Sequence, residues 1–166
     1  MAKTGIFYGS SGGNTKVVAE KIATKLGVTK VDIHDIAKAK AADLAGYSLL
    51  IFGTSTWGLG DLQDDWYDFL KILQAADFTG KKVALFGCGD SSSYPDTFCD
   101  GMGKIYAAIR DKAEIIGSVD VEGYFFDTLE AVVDGKFVGL PLDEDNESNL
   151  TDLRISTWVI ELKALI

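Results

Sequence analysis

The segment Gly9-Ser10-Ser11-Gly12-Gly13-Asn14-Thr15 gathers glycines and hydroxyls between a short apolar run, Gly5-Ile6-Phe7-Tyr8, and an amphipathic helical pattern. Glycines let the backbone turn its N–H groups inward, and the start of the following helix adds a partial positive charge. Ser10, Ser11 and Thr15 add hydroxyl donors. The chemistry on offer is the holding of an anion by hydrogen bonds, with almost no positive charge. A nucleoside-triphosphate loop ends Gly-Lys-Ser/Thr so that the lysine meets the outer phosphates, whereas this loop ends Gly13-Asn14-Thr15 with Lys16 beyond it. A dinucleotide loop needs Gly-x-Gly-x-x-Gly, which glycines at 9, 12 and 13 do not satisfy. One terminal phosphate monoester fits better, and a solvated serine-glycine turn is the competing reading of the loop taken alone.

Two further loops carry chemistry. Thr54-Ser55-Thr56-Trp57-Gly58-Leu59-Gly60-Asp61 sets an indole among small hydroxyl residues and flexible glycines, and Gly87-Cys88-Gly89-Asp90-Ser91-Ser92-Ser93-Tyr94-Pro95-Asp96 presents a phenol. If the two loops converge, Trp57 and Tyr94 can sandwich a flat heterocycle, each ring pair adding about 0.5–1.5 kcal/mol beyond burial. A lone aromatic is more often core or surface, so the pairing on loops is what carries the reading.

The elements that must position these loops follow from hydrophobic period. Val18, Ile22 and Leu26 mark a helix over about 14–26, with Gly27 as its stop. Val31 and Ile33 alternate as an edge strand. Leu49-Leu50-Ile51-Phe52-Gly53-Thr54 and Val83-Ala84-Leu85-Phe86-Gly87 are continuous apolar runs expected of strands buried on both faces. Helical spacing returns in Trp66, Phe69, Leu70 and Leu73, in Met102, Ile105, Tyr106 and Ile109, and in Ile155, Trp158, Val159 and Leu162; Ile115-Ile116-Gly117 begins another strand. This alternation predicts an α/β fold, a three-layer, doubly wound parallel sheet of five strands in one domain spanning 1–166. Ligands in such sheets bind beyond the carboxyl ends of the strands, where the strand order reverses, so loops 9–15, 54–62 and 87–100 should meet at one site.

With 16 Lys plus Arg against 25 Asp plus Glu, the chain carries a formal charge of −9, which argues against nucleic acid or an anionic membrane as partner. No apolar stretch approaches the roughly twenty residues of a membrane span. The start, Met1-Ala2-Lys3-Thr4, leads straight into a strand without an export segment, and two cysteines without CxxC spacing fit a reducing, cytoplasmic setting. His34, the only histidine, has no second metal-type ligand near it in sequence.

Taken together in chain order, these motifs resemble the flavodoxin family, whose sheet order 2-1-3-4-5 with FMN at the switch point is a standard instance of the doubly wound rule. Ser10, Gly13 and Thr15 resemble the family's phosphate loop, Trp57 and Tyr94 its flavin-stacking residues, and Gly87-Cys88-Gly89-Asp90 the loop under the flavin's pyrimidine edge. The segment Val121 to Val138, with Asp134-Gly135-Lys136 as a hairpin turn, resembles the insertion that interrupts the fifth strand in the long-chain subgroup.

The resemblance implies non-covalent FMN held by Ser10, Ser11, Gly12, Gly13, Asn14 and Thr15 at the phosphate. Ser55, Thr56, Trp57 and Gly58 would contact ribityl and ring, with Cys88, Gly89, Asp90, Tyr94, Thr97 and Cys99 about the ring and its pyrimidine edge and Asp145 near the ribityl chain. It further implies a low-potential one-electron carrier, cycling between flavin semiquinone and hydroquinone, with no metal and no substrate turned over. Asp61, Asp64, Asp65, Asp90, Asp96 and Asp100 form the expected acidic rim. The implied partners of this monomer are transient and basic: ferredoxin- or flavodoxin-NADP reductase, pyruvate oxidoreductase, nitrogenase or photosystem I in type. Gly12 departs from the family, standing where threonine is usual. The alternatives are a nicotinamide-dependent quinone or FMN reductase, which needs a second cleft, and a phosphate-binding or phospho-accepting signalling domain, which needs acids after the first strand.

Overall fold

Residues 3–126 and 130–166 are described by the structure, a computed structural model. Met1, Ala2 and residues 127–129, which fall in the 121–138 segment, lie outside the described residues. The strands are β1 (Thr4–Gly9), β2 (Ile33–Asp35), β3 (Leu49–Trp57), β4 (Asp61–Leu62), β5 (Lys82–Cys88), β6 (Glu114–Ile116), β7 (Val119–Asp120), β8 (Val132–Val133), β9 (Lys136–Phe137) and β10 (Leu140–Leu142), of which all but β7, β8 and β9 belong to one sheet. The helices are α1 (Asn14–Leu26), α2 (Asp65–Ala75), α3 (Asp100–Ile109) and α4 (Ser148–Leu165).

Strands β2, β1, β3 and β5 lie side by side and parallel. β6 pairs with Lys82–Ala84 of β5, and β10 pairs, also in parallel, with Phe86–Cys88 of the same strand. The two short strands thus cover successive stretches of one edge, and the parallel order β2-β1-β3-β5, with β6 and β10 beyond β5, is the expected doubly wound order. Between them, residues 117–139 carry a small antiparallel sheet, β7-β9-β8. Asp134 and Gly135, at φ 53° and 79°, make the two-residue turn joining β8 to β9, because a turn that follows the strands' twist needs both central residues at positive φ.

Side chains alternate across the pleat, which is how continuous apolar runs serve two helical layers. Phe7, Leu50, Phe52, Val83 and Leu85 pack with Trp66, Phe69, Leu73, Met102, Ile105 and Ile109 of α2 and α3. Ile6, Leu49, Ile51, Ala84 and Phe86 pack with Val18, Ile22, Ile155, Trp158 and Leu162 of α1 and α4 on the other face. Gly27 ends α1 at φ 76°, its N–H reaching back to the last carbonyls, as the sequence predicts. Val31 departs from expectation: residues 30–32 form a single tight turn and leave Val31 79% exposed. The hydroxyl of Tyr47 donates to Asp32 Oδ1 (2.9 Å) and lies 2.7 Å from His34 Nε2, fixing that turn and starting the strand at Ile33.

One buried carboxylate binds the last loop to the third. Asp143, fully buried at the end of β10, accepts the Ser91 N–H (3.1 Å), the Ser91 hydroxyl, the Asn146 N–H (3.0 Å) and the Asn146 amide. The same Asn146 amide donates to Asp90 Oδ1 (2.8 Å), which also accepts the N–H groups of Ser92 and Ser93. These bonds hold the carboxyl of Asp90 below its ordinary value of 3.8, the Ser93 N–H foremost and then the Asn146 amide. A carboxylate more acidic in the folded than in the unfolded chain stabilises the fold above its unfolded value, and that contribution is lost as pH falls through the folded value. Asp90→Asn keeps the turn's acceptor and loses the charge. Urea unfolding of Asp90→Asn is expected to show lower stability than the parent at pH 7, with the gap closing below about pH 4; a gap that stays constant or widens in acid contradicts this role.

Candidate functional site

The loops that follow β1, β3 and β5, together with the turn after β10, enclose a cleft of about 250 Å3 beyond the carboxyl ends of the strands. Its phosphate-binding potential lies in the loop between β1 and α1. Gly13, at φ 94°, caps α1 without a side-chain bond, and its own N–H donates to Ser10 Oγ (3.0 Å). The first N–H groups of α1 therefore have no side-chain acceptor, and the first turn contains no acid to neutralise the helix's positive end. Thr15, 1% exposed, lines this region, and its Oγ1 is buried with no hydrogen-bond partner. The Cys88 thiol comes near it, but a thiol is too weak a partner to satisfy a buried hydroxyl. Lys16 is exposed outside the cleft, and among the described residues no lysine or arginine lines it.

Trp57 and Tyr94, each 46% exposed, stand on the second and third loops at the cleft. The Trp57 indole N–H donates to Ser55 Oγ (2.8 Å), which sets the ring's direction. Gly58 and Gly60 take φ of 52° and 100°, values that side chains resist, so the turn beside the indole depends on both. Thr56 Oγ1 accepts the Gly101 N–H (2.8 Å), pinning the start of α3 beneath the same loop. A Cβ on Gly89 would lie 2.9 Å from Cys99 N, so only glycine admits the close approach of the chain that carries Tyr94.

The cleft brings together Ser10, Gly12, Asn14, Thr15, Ser55, Thr56, Trp57, Gly58, Cys88, Gly89, Asp90, Tyr94 and Asp145. Ser11, Gly13, Thr97 and Cys99 do not line it. Ser11 accepts a hydrogen bond from Gln63 outside the cleft, and Gly13 serves as the hinge into α1. Thr97 Oγ1 is buried without a partner, and Cys99 is fully buried at the start of α3 with φ 60°. Glu144 lines the cleft as well, marked in the sequence only by its place in the acidic run Asp143-Glu144-Asp145; the Thr151 hydroxyl of α4 holds its carboxylate.

Asp100 leaves the expected acidic rim. It is 6% exposed, accepts the N–H groups of Glu130 (2.9 Å) and Ala131 (3.4 Å), and has its pKa raised, chiefly by burial. Burial, followed by the neighbouring charges of Asp90, Asp143 and Glu144, also raises Asp145. It pushes the Cys88 thiol up to about 12 and the Cys99 thiol well above its usual range, so both remain neutral and unreactive. The cleft is thus lined by two aromatic rings, by the start of α1 and by the carboxylates of Asp90, Glu144 and Asp145. These features fit a planar heterocycle carrying a terminal phosphate.

Comparisons with known proteins agree with this geometry. The family model described as Flavodoxin matches residues 6–158. The flavodoxin of Synechocystis sp. is 46% identical, the match covering 100% of this chain and 99% of that protein. Flavodoxin 1 of Salmonella typhimurium is 45% identical over 99% of this chain and 94% of its own length. Among solved structures, Fusobacterium nucleatum flavodoxin bound to flavin mononucleotide superposes with a TM-score of 0.91 at 31% identity, covering 100% of this chain and 99% of that one. A family match across nearly the whole sheet, joined to that degree of identity end to end, establishes that the chain belongs to the flavodoxin family.

Proposed function

We propose that the protein binds one FMN without a covalent bond and carries single electrons between redox enzymes, turning over no substrate of its own. The observation that carries this reading is the orphaned Thr15 hydroxyl at the uncapped start of α1, set in a cleft flanked by two exposed aromatic rings. Ser10, Gly12, Asn14 and Thr15 would hold the phosphate, with Ser11 and Gly13 shaping the loop. Ser55, Thr56 and Asp145 would meet the ribityl chain, and Trp57 and Tyr94 would cover the ring. The FMN, when bound, supplies the one-electron chemistry.

The chain's own contribution is to orient the ring, exclude water and set its electrostatic surroundings. Gly58 lacks a side chain, and a Cβ there would meet nothing closer than Asp61 Oδ2 at 3.7 Å. With no side chain to bar the change, its peptide would be able to turn and offer its carbonyl to a proton at N5 of a bound ring. Asp90, Glu144 and Asp145 line the cleft with no cation among them, which disfavours added negative charge and lowers the potential of the final reduction step. The exposed carboxylates of Asp61, Asp64 and Asp96, within a chain of net charge −9, would steer basic partner surfaces through a field that salt weakens. NADP reductases, pyruvate oxidoreductases, nitrogenase and photosystem I are the partner types in view, met by a cytoplasmic monomer. We read 1–166 as one domain whose fifth strand is interrupted by an insertion.

Reconstitution tests the assignment. Purified apoprotein is expected to take up one FMN per chain, to accept electrons from dithionite in two separate one-electron steps, and to leave NADPH unoxidised until a reductase is added. Failure to bind FMN, or rapid direct oxidation of NADPH, overturns it. A second expectation concerns Gly12, where an added Cβ would meet only Trp57 Cη2, at 3.8 Å, so a side chain has room. Gly12→Thr supplies one more hydroxyl to a charged phosphate, an interaction of about 1.5 kcal/mol or more, and should tighten FMN binding roughly tenfold in a fluorescence titration. Unchanged or weaker binding would place the phosphate elsewhere.

A further inference from the structure

Gln63 has no place in the cleft, yet it is 1% exposed and spends its whole amide on neighbours. Its Nε2 donates to Asp65 Oδ2 (2.8 Å) and to Ser11 Oγ (3.1 Å), and its Oε1 accepts the Asp65 N–H (3.2 Å). The reversed amide would set its carbonyl oxygen against the Asp65 carboxylate and its NH2 against the Asp65 N–H, so the partners themselves fix the orientation. The amide also lies against the main chain where β1 ends: a Cβ on Gly9 would stand 2.3 Å from Gln63 Oε1 and 2.7 Å from Trp66 Cδ1. Trp66 is locked in turn by its indole N–H, which donates to Gly53 O (3.0 Å).

Among the described residues, the bond from Gln63 to Ser11 is the only hydrogen bond that ties residues 10–13 to a segment other than the loop itself and α1. The loop's remaining bonds are the Ser10–Gly13 turn and the first helical bond, Val17 N to Gly13 O (3.1 Å). A glycine-rich loop with so few restraints pays an ordering cost when it receives a ligand, and an external anchor reduces that cost in advance.

We propose that Gln63 is a positioning residue for phosphate recognition: from outside the cleft, its amide fastens Ser11 and holds the 10–15 backbone in the curve that receives a phosphate monoester. The inference rests on the FMN reading above. Asp65 sets the direction of the amide, and Ser11, whose oxygen accepts from Gln63, becomes the loop's point of attachment. Removing the anchor loosens the phosphate seat while leaving the aromatic faces of the cleft as they are.

The test compares the affinities of the apoprotein for FMN and for riboflavin, which lacks the phosphate, in the parent, Gln63→Leu, Ser11→Ala and the double variant. Gln63→Leu is expected to weaken FMN about tenfold and riboflavin less than twofold, with Ser11→Ala, at an exposed position that leaves the core intact, giving the same selective loss. The double variant should lose no more than the worse single one, because both remove one contact. Equal weakening of both ligands, no weakening of either, or losses that multiply in the double variant would overturn the positioning role. Absence of FMN binding by the parent would overturn the FMN reading itself, a result distinguishable from all of these.

Discussion

Thr15 places a hydroxyl out of water and gives it no partner, an arrangement that costs about 1–3 kcal/mol if nothing fills it. It does so at the start of a helix whose first N–H groups also lack a side-chain acceptor and whose first turn has no acid. Both features belong to the one stretch that leads from β1 into α1 and lines the cleft, where an anion would find them together. Much of the remaining architecture can be understood as holding this unsatisfied seat open and at the right distance from two aromatic rings. Among the described residues no lysine or arginine lines the cleft, so a phosphate there would be held by dipoles, with no positive charge to raise the potential of a flavin alongside.

Two polar groups, buried and fully engaged, do the holding from opposite sides. Asp143 gathers Ser91 and Asn146, and through Asn146 reaches Asp90, so the loop bearing Tyr94 moves with the end of β10. Gln63 gathers Asp65 and Ser11, so the loop between β1 and α1 is tied to the start of α2. Between them, Thr56 fastens the Trp57 loop to α3. The sheet supplies the scaffold for all three: the register Gly9↔Thr54 and Ser55↔Cys88 brings the ends of β1, β3 and β5 level, so that their loops emerge at one edge.

The layers were legible in the sequence because they depend on period alone. Runs such as Leu49–Phe52 and the helical spacing of Ile155, Trp158 and Leu162 specify which side is buried whatever the partner. The meeting of the three loops was legible too, since the topology of a parallel sheet dictates it. Features that depend on a single distant partner were not. Val31 alternates with Ile33 as a strand would, but Tyr47, far along the chain, reaches back to Asp32 and His34 and turns that stretch outward. Asp100 looks like one more surface acid until Glu130 and Ala131 present their N–H groups to it. Ser11 looks equivalent to Ser10, and their partners separate them: Ser10 accepts the Gly13 N–H within the loop, and Ser11 accepts from Gln63 outside it. Asp143 and Gln63 carry no local signal, since a buried polar side chain is recognised by what it bonds and not by its neighbours in sequence.

A crystal structure of the protein grown with FMN tests the central claim most directly. The account requires a phosphate oxygen about 3 Å from Thr15 Oγ1, with the N–H groups at the start of α1 directed at the same group and the ring lying between Trp57 and Tyr94. A phosphate bound away from residues 10–15, or one that leaves the Thr15 hydroxyl still without a partner, would contradict it.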